Sequence, residues 1–248
     1  MIEGVADIRQ AYRDQTVATR YIDERFREPV GALLHRRQAA VLRRVIADVR
    51  PQRVLEVAPG PARLTVETAP LLATPPVLID ASAQMLAVAE QRLRDRGCGA
   101  TLIEGDAFSL PFRSTFDLVY TFRLVRHFGD EDRIRLYREI ARTLRPGGVL
   151  VFDAVNAVVS NRIRARAAAG EYRHYDALLT REALVDELSH GGFSVQALVG
   201  LQHRYTLMQH VQTLVAPRSR ALAAYAVELL DHSGGEPLEW VAVCRRDA

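Results

Sequence analysis

The chain has 248 residues, 48% apolar and 25% charged, with a formal net charge of +3, which suits a globular protein with a sizeable core in one large α/β domain or two small ones. No apolar run is long enough to cross a membrane, and Met1–Gln15 carries Glu3, Asp7, Arg9, Arg13 and Asp14 where a secretory leader would be apolar. Cys98 and Cys244 are too few for a disulfide framework or a zinc site, so reduced thiols and a cytoplasmic setting are expected.

No Gly-, Ser- or Pro-rich linker divides the chain, and the arginines are dispersed through helical patterns rather than clustered with aromatics, so one domain and no nucleic-acid partner are expected. Residues 5–49 read as helical. Ala6, Ile8, Ala11 and Tyr12 begin one apolar stripe; a longer one runs from Val30 through Leu33, Leu34, Leu42 and Ile46, after an interruption at Glu28-Pro29. Between them lie Tyr21, Arg25 and Phe26, in a stretch that is either a solvated helix face or a lid over a ligand.

Arg53–Leu64 is the stretch around which the chain is organised. Val54, Leu55 and Val57 suit a buried strand that carries Glu56. The Ala58–Ala62 loop has only small side chains and prolines, so its backbone can approach a ligand before Thr65 opens a helix. Pro76–Asp80 is a second strand ending in an acid, 24 positions after Glu56, and Ala83–Leu93 is an amphipathic helix. An acid at the second strand's tip can accept ribose hydroxyls. Thr101–Glu104 is a third strand, followed by Asp106 in a loop, and Thr115–Phe122 a fourth. A helix over Asp130–Leu144, capped near Asp130 and stopped by Arg145–Gly148, leads to a fifth strand, Val149–Ala154. Strands alternating with helices demand a parallel sheet with right-handed crossovers and a ligand at the strands' carboxyl edge, where Glu56, Asp80, Asp106, Arg123 and Asp153 fall.

Charge chooses among nucleoside ligands. Glu56 immediately before the loop would repel a dinucleotide's pyrophosphate, and only Gly60 remains of a Gly-x-Gly-x-x-Gly fingerprint, so a nicotinamide oxidoreductase is disfavoured. S-adenosylmethionine carries a sulfonium and an ammonium, which Glu56 can favour while Asp80 holds the ribose and Asp106 accepts from the adenine amine. In VLEVAPGPARLT, VLIDASAQMLAVAEQRL, IEGDAFSLPF, FDLVYTFRLVRHFGD and LYREIARTLRPGGVLVFD the chain resembles the class I S-adenosylmethionine-dependent methyltransferases of the small-molecule branch that includes ubiquinone and menaquinone methyltransferases.

The resemblance covers about residues 35–200. It implies a Rossmann-like fold, a doubly wound, mostly parallel seven-stranded sheet with its cofactor-binding core at 50–200; the residues themselves add an N-terminal helical lid (1–49) and, as a departure from the family, a C-terminal helical insertion (201–238) before a last strand (239–248). It implies cofactor contacts from Glu56, Ala58, Gly60, Asp80, Ala81, Asp106, Ala107, Phe108 and Arg123, and a small-molecule acceptor near Tyr21, Arg25, Phe26, Arg126 and Asn156. No metal is called for. The sequence departs from the family where Ala58 and Ala62 replace loop glycines, tolerable at Ala58 if its φ is negative, and where Arg126-His127 stands for a paired histidine.

Phe193–Val199 and Glu239–Cys244 read as the last two strands, separated by a helical hairpin that either covers the substrate side or forms a dimer contact. Arg162–Arg166 is a basic run on a helix. Methyl transfer is an in-line displacement that needs chiefly positioning; where the acceptor must lose a proton, His127 is the base by type and place, a structural histidine being the alternative. A binding or scaffold protein on the same fold is the competing function class.

Overall fold

The computed structural model describes residues 25–167 and 175–247. Its sheet runs in the order β3-β2-β1-β4-β5-β8-β7, with β1 Val54–Val57, β2 Val77–Asp80, β3 Thr101–Glu104, β4 Phe116–Thr121, β5 Leu144–Asn156, β7 Phe193–His203 and β8 Pro237–Arg246; the two-residue β6, Leu178–Leu179, pairs with the end of β5. β1 to β6 pair with one another in parallel, whereas β8 lies antiparallel between β5 and β7. The seven strands read from sequence make up this path, and the two-residue β6 is added to it. β6 is too short for any periodicity to reveal, and it forms because β5 runs on to Asn156.

The helices are α1 Pro29–Val49, α2 Thr65–Thr68, α3 Ala83–Asp95, α4 Asp130–Thr143, α5 Ala157–Arg164, α6 Arg181–His190, α7 Tyr205–Val215 and α8 Arg220–His232. α1 begins with proline at its first position, where a missing N–H costs nothing. α2 is a single turn, passing into a 3-10 turn at Ala69–Leu71, so the loop after β1 leads into a much shorter helix than the sequence suggests. α4 is not capped by Asp130: Gly129 is its N-cap, and Asp130, Glu131 and Asp132 fill the first turn, where they oppose the positive end of the helix dipole. Arg145–Gly148 belongs to β5 rather than to a stop, since Leu144 already turns extended at φ −71°, ψ 149°.

Alternation along the strands sorts the core onto two faces. Leu55, Val57, Val119, Leu150 and Phe152 pack with Leu136, Tyr137 and Ile140 of α4 and with Leu184 and Leu188 of α6. Val54, Leu118, Tyr120, Val149 and Val151 meet Leu42, Val45 and Ile46 of α1 on the other. α7 and α8 fold back onto α1 through Val30, Leu33, Met208 and Val227. Their outer surface leaves Leu214, Leu222, Tyr225 and Leu229 exposed.

One buried charge cluster joins the strands' carboxyl edge to β8. Arg126 donates to Asp153 of β5 and to Glu239 of β8, the latter at 2.8 Å. Burial opposes the guanidinium's charge, but the two carboxylates reverse that and hold Arg126 above its ordinary range. Burial likewise pushes Asp153 up, and Arg126 outweighs it, so Asp153 stays ionised. Replacing Asp153 by Ala should destabilise the fold by about 3 kcal/mol, the lower end for a broken buried pair because Glu239 still faces the guanidinium. Urea unfolding of wild type and Asp153→Ala checks this, a shift below about 1 kcal/mol marking the cluster as dispensable.

Candidate active site

The carboxyl ends of β1 to β4 open into a cleft enclosing about 910 Å³, open solvent included, bordered by Ala58, Gly60, Asp80, Asp106, Phe108 and His127 among others. Its floor is the loop after β1. Ala58 N–H donates to Ile79 O at 2.8 Å, and Gly60 N–H to Asp80 Oδ2 at 3.0 Å. Ala58, Gly60 and Ala62 all have positive φ, 52°, 55° and 53°. The condition under which alanine is tolerated freely at position 58, a negative φ, is not met: it occupies a left-handed position that glycine takes without strain. Such a position costs L-residues on the order of 1–2 kcal/mol. Ala62 recovers part of that by packing fully buried against Val66, Leu78, Ala89 and Leu93.

Asp80 is fixed by its own loop, accepting from Gly60 N–H and, at 2.9 Å, from Ser82 N–H, while burial raises its pKa. Ala81 and Ala107 line the same cleft. Asp106 accepts from Phe108 N–H at 3.0 Å, and the Phe108 ring meets Phe128 edge-on, 4.9 Å between centroids. Gly105 allows this loop to close: a Cβ there would lie 2.6 Å from Ile79 Cδ1.

Glu56 sits behind the loop, beside a smaller cavity that shares Ala58, Gly60, Phe122 and Arg123 with the cleft. It accepts from the Thr65 hydroxyl, and burial lifts its pKa to about 7 against the smaller opposing pull of Thr65, Tyr120 and Arg63. Arg63 is engaged by His35 and Gln38, each at 2.7 Å, and lies 4.1 Å over the Phe26 ring. Phe26 is thus buried beneath Arg63 and lines neither cavity, so it is a packing residue where an acceptor contact was expected.

A second, more polar cavity enclosing about 1060 Å³, open solvent included, adjoins the cleft, with Arg123 bordering both. Arg25 and Arg126 line it, together with Gln202, Gln209 and Gln212 on the β7–α7 side. Arg126 is not a free ligand, being held by Asp153 and Glu239. Asn156 lines neither cavity: its Oδ1 caps α5 through Val158 N–H at 2.9 Å and its Nδ2 donates to Pro237 O at 2.8 Å, which corrects its expected acceptor role. Tyr21 lies outside the described residues.

His127 Nδ1 lies 3.3 Å from the carbonyl of Tyr175 and 3.8 Å from Asp176 Oδ1. A carbonyl only accepts, so Nδ1 carries the proton and Nε2 the lone pair. Nε2 is buried with no partner among the described residues, and His127 borders the cleft. Burial lowers its pKa, against the opposing effects of Tyr175 and Asp176, which keeps the ring neutral and basic at neutral pH. Sequence reasoning missed Met85, Phe122 and Phe128, which read as core, and Asp176 and the three glutamines, which carry no local signal.

The left-handed loop can be tested directly. Ala58→Gly should stabilise the protein by about 0.5–1 kcal/mol, relief of strain outweighing the added freedom of the unfolded chain. Denaturation midpoints at equal m-values check this; a midpoint lower than wild type would contradict the backbone conformation.

Residues 54–148 match the family model described as a methyltransferase domain. The chain is 39% identical over 111 residues to a demethylmenaquinone methyltransferase of Thermotoga maritima, covering 43% of this chain and 45% of that one. It is 32% identical over 157 residues to a cypemycin N-terminal methyltransferase of a Streptomyces species, covering 62% and 59%. The chain spans about half the length of the curated relatives it matches. In fold it is similar to magnesium protoporphyrin IX methyltransferase from Synechocystis with bound S-adenosylhomocysteine, at TM-score 0.63 and 14% identity, over 88% of this chain and 86% of that one. Residues 54–148 thus match a methyltransferase domain, and the sheet is similar in fold to that of solved S-adenosylmethionine-dependent methyltransferases.

Proposed function

We propose that the protein transfers a methyl group from S-adenosylmethionine to a small-molecule acceptor. The observation that carries this reading is the stationing of Glu56, Asp80 and Asp106 along one continuous set of cavities behind a tight loop. The donor set fits the cofactor. Glu56 is a buried acid whose hydrogen bonds come from hydroxyls, ready for an ammonium; Asp80 keeps lone pairs for ribose hydroxyls; Asp106 and Phe108 border the adenine end.

When bound, the cofactor supplies a methyl carbon made electrophilic by its sulfonium. The chain's residues then bind, orient and exclude water. α1 and α7 line the polar cavity as the acceptor side of the molecule, and the neutral His127 Nε2 takes a proton from an oxygen acceptor while Tyr175 O and Asp176 fix the ring. The competing reading, binding without turnover, draws on the strained alanines at positions 58 and 62; it predicts cofactor binding with no transfer to any acceptor.

Calorimetry with S-adenosylhomocysteine tests the cofactor assignment. Asp80→Ala should weaken binding by roughly 1.5–3 kcal/mol, the worth of hydrogen bonds to a charged acceptor. In the wild type, affinity should rise as pH goes from 6 to 8, because Glu56 must ionise through a pKa of about 7 to meet the ligand's ammonium. The sign for the free protein is opposite. Glu56 is protonated in the fold at pH values where the unfolded chain has released that proton, so its contribution, present below pH 4.5, is lost as pH rises towards 7, about 3 kcal/mol in all. Equal affinity in wild type and Asp80→Ala, or flat pH dependence, refutes the arrangement.

His127→Ala should lower single-turnover methyl transfer to an oxygen acceptor by roughly 10²–10⁴-fold with cofactor affinity intact. A loss confined to thermal stability and cofactor binding would make His127 structural.

A further inference from the structure

Three acids around the polar cavity are already engaged by arginines. Asp176 faces Arg164 at 2.8 Å, Glu239 faces Arg126, and Glu28 lies 3.4 Å from Arg220. Arg123 makes no side-chain hydrogen bond or ion pair among the described residues, and its Nε is buried without a partner. Asp153 lies close enough to interact with it through space, yet one of that acid's oxygens accepts from the Arg123 backbone N–H and the other from Arg126. Nor does Arg123 sit there by default: its φ of 64° holds the residue in the left-handed region just past β4, where it borders the cofactor cleft, the Glu56 cavity and the polar cavity together.

A second observation lies further out. The polar cavity shares Ile163 and Tyr205 with a vestibule that opens between α5 and the start of α7. Its border carries Arg162, Arg166 and Arg204 against one acid, Glu236, which Asn156 engages at 3.5 Å. Arg162 and Arg166 form no ion pair among the described residues. A path lined by arginines and ending on an unpaired guanidinium raises the local concentration of anions and gives them a planar fork to dock on.

We infer that the methyl acceptor is a small carboxylate, drawn in past Arg162 and Arg166 and seated by its carboxylate on the guanidinium of Arg123. A carboxylate presents two coplanar oxygens that match the planar fork of the guanidinium. The polar half of the wall, with Ser160, Gln202, Gln209 and Gln212, can hydrogen-bond a short polar molecule. This inference rests on the methyl-transfer reading, with Arg123 acting on the acceptor beside the cofactor's methionine end.

The test uses the wild-type protein saturated with S-adenosylhomocysteine, probed by ligand-observed NMR with matched sets of small carboxylic acids, their primary amides and the corresponding phosphate monoesters. Acids should bind at least about tenfold more tightly than their amides, and Arg123→Gln should remove that preference by roughly ten- to a hundredfold, a larger loss than any it causes in S-adenosylhomocysteine affinity. Arg123→Lys, which keeps the charge but not the fork, should retain part of the preference, and thermal melts confirm that each variant folds. The inference is overturned if no acid binds, if amides or phosphates bind as well as acids, or if Arg123→Gln leaves the preference intact. If Arg123→Gln instead weakens S-adenosylhomocysteine more than about tenfold and spares the acids, the guanidinium holds the cofactor's own carboxylate. Failure of the wild type to bind S-adenosylhomocysteine would fail the methyl-transfer reading itself, and this one with it.

Discussion

Arg126 holds two carboxylates that the chain places far apart, Asp153 on β5 and Glu239 on β8, and the arrangement of the carboxyl edge depends on that attachment. The same carboxylate of Asp153 receives the backbone N–H of Arg123, so the segment after β4 is pinned at two points. That segment then presents Arg123 to the junction of the cavities and His127 to the cleft. A buried ion cluster is poor evidence of net stability, because an apolar replacement is often as good. Here its effect is positional: no apolar trio could hold a backbone amide and two strands' side chains at one point.

The network continues beyond the cluster. Glu239 faces Gln38 at 3.5 Å, Gln38 accepts from Arg63, and Arg63 also meets His35, whose pKa burial and Arg63 hold down at about 4. His35 is therefore neutral and can accept. Through this chain α1 reaches both Arg63, just past the first loop, and the acid of β8. Hydrogen bonds relayed through buried side chains polarise one another, and each loses much of its worth if one member is missing. The burial of Phe26 under Arg63 belongs to the same arrangement, since a guanidinium over a ring is shielded from water on one side.

Much of the sheet was legible because its signals are local. Val54–Val57, Val77–Asp80 and Phe116–Thr121 are short apolar runs between turn residues, and the acids at Glu56 and Asp80 mark strand ends without reference to anything distant. What was not legible depended on long-range placement. Nothing in Leu178–Leu179 announces a strand, because the pairing partner is Val155–Asn156. Asn156 resembles a binding residue until the start of α5 shows that its oxygen is a cap. The left-handed alanines are the sharper case: residue type predicts φ only where no tertiary demand overrides it, and at Ala58 and Ala62 the loop's closure on Ile79 and Asp80 does.

β8 lies between β5 and β7, although both precede it in the chain. During synthesis, therefore, the sheet acquires its outermost antiparallel strand before the strand that joins it to the rest. β5 and β7 must wait with unpaired backbone edges until Pro237–Arg246 has emerged, and Arg126 waits with half of its countercharge. Open edges of this kind invite pairing with another chain. For this protein, the interval between making β7 and making β8 is the stretch of its biogenesis in which a chaperone has most to protect.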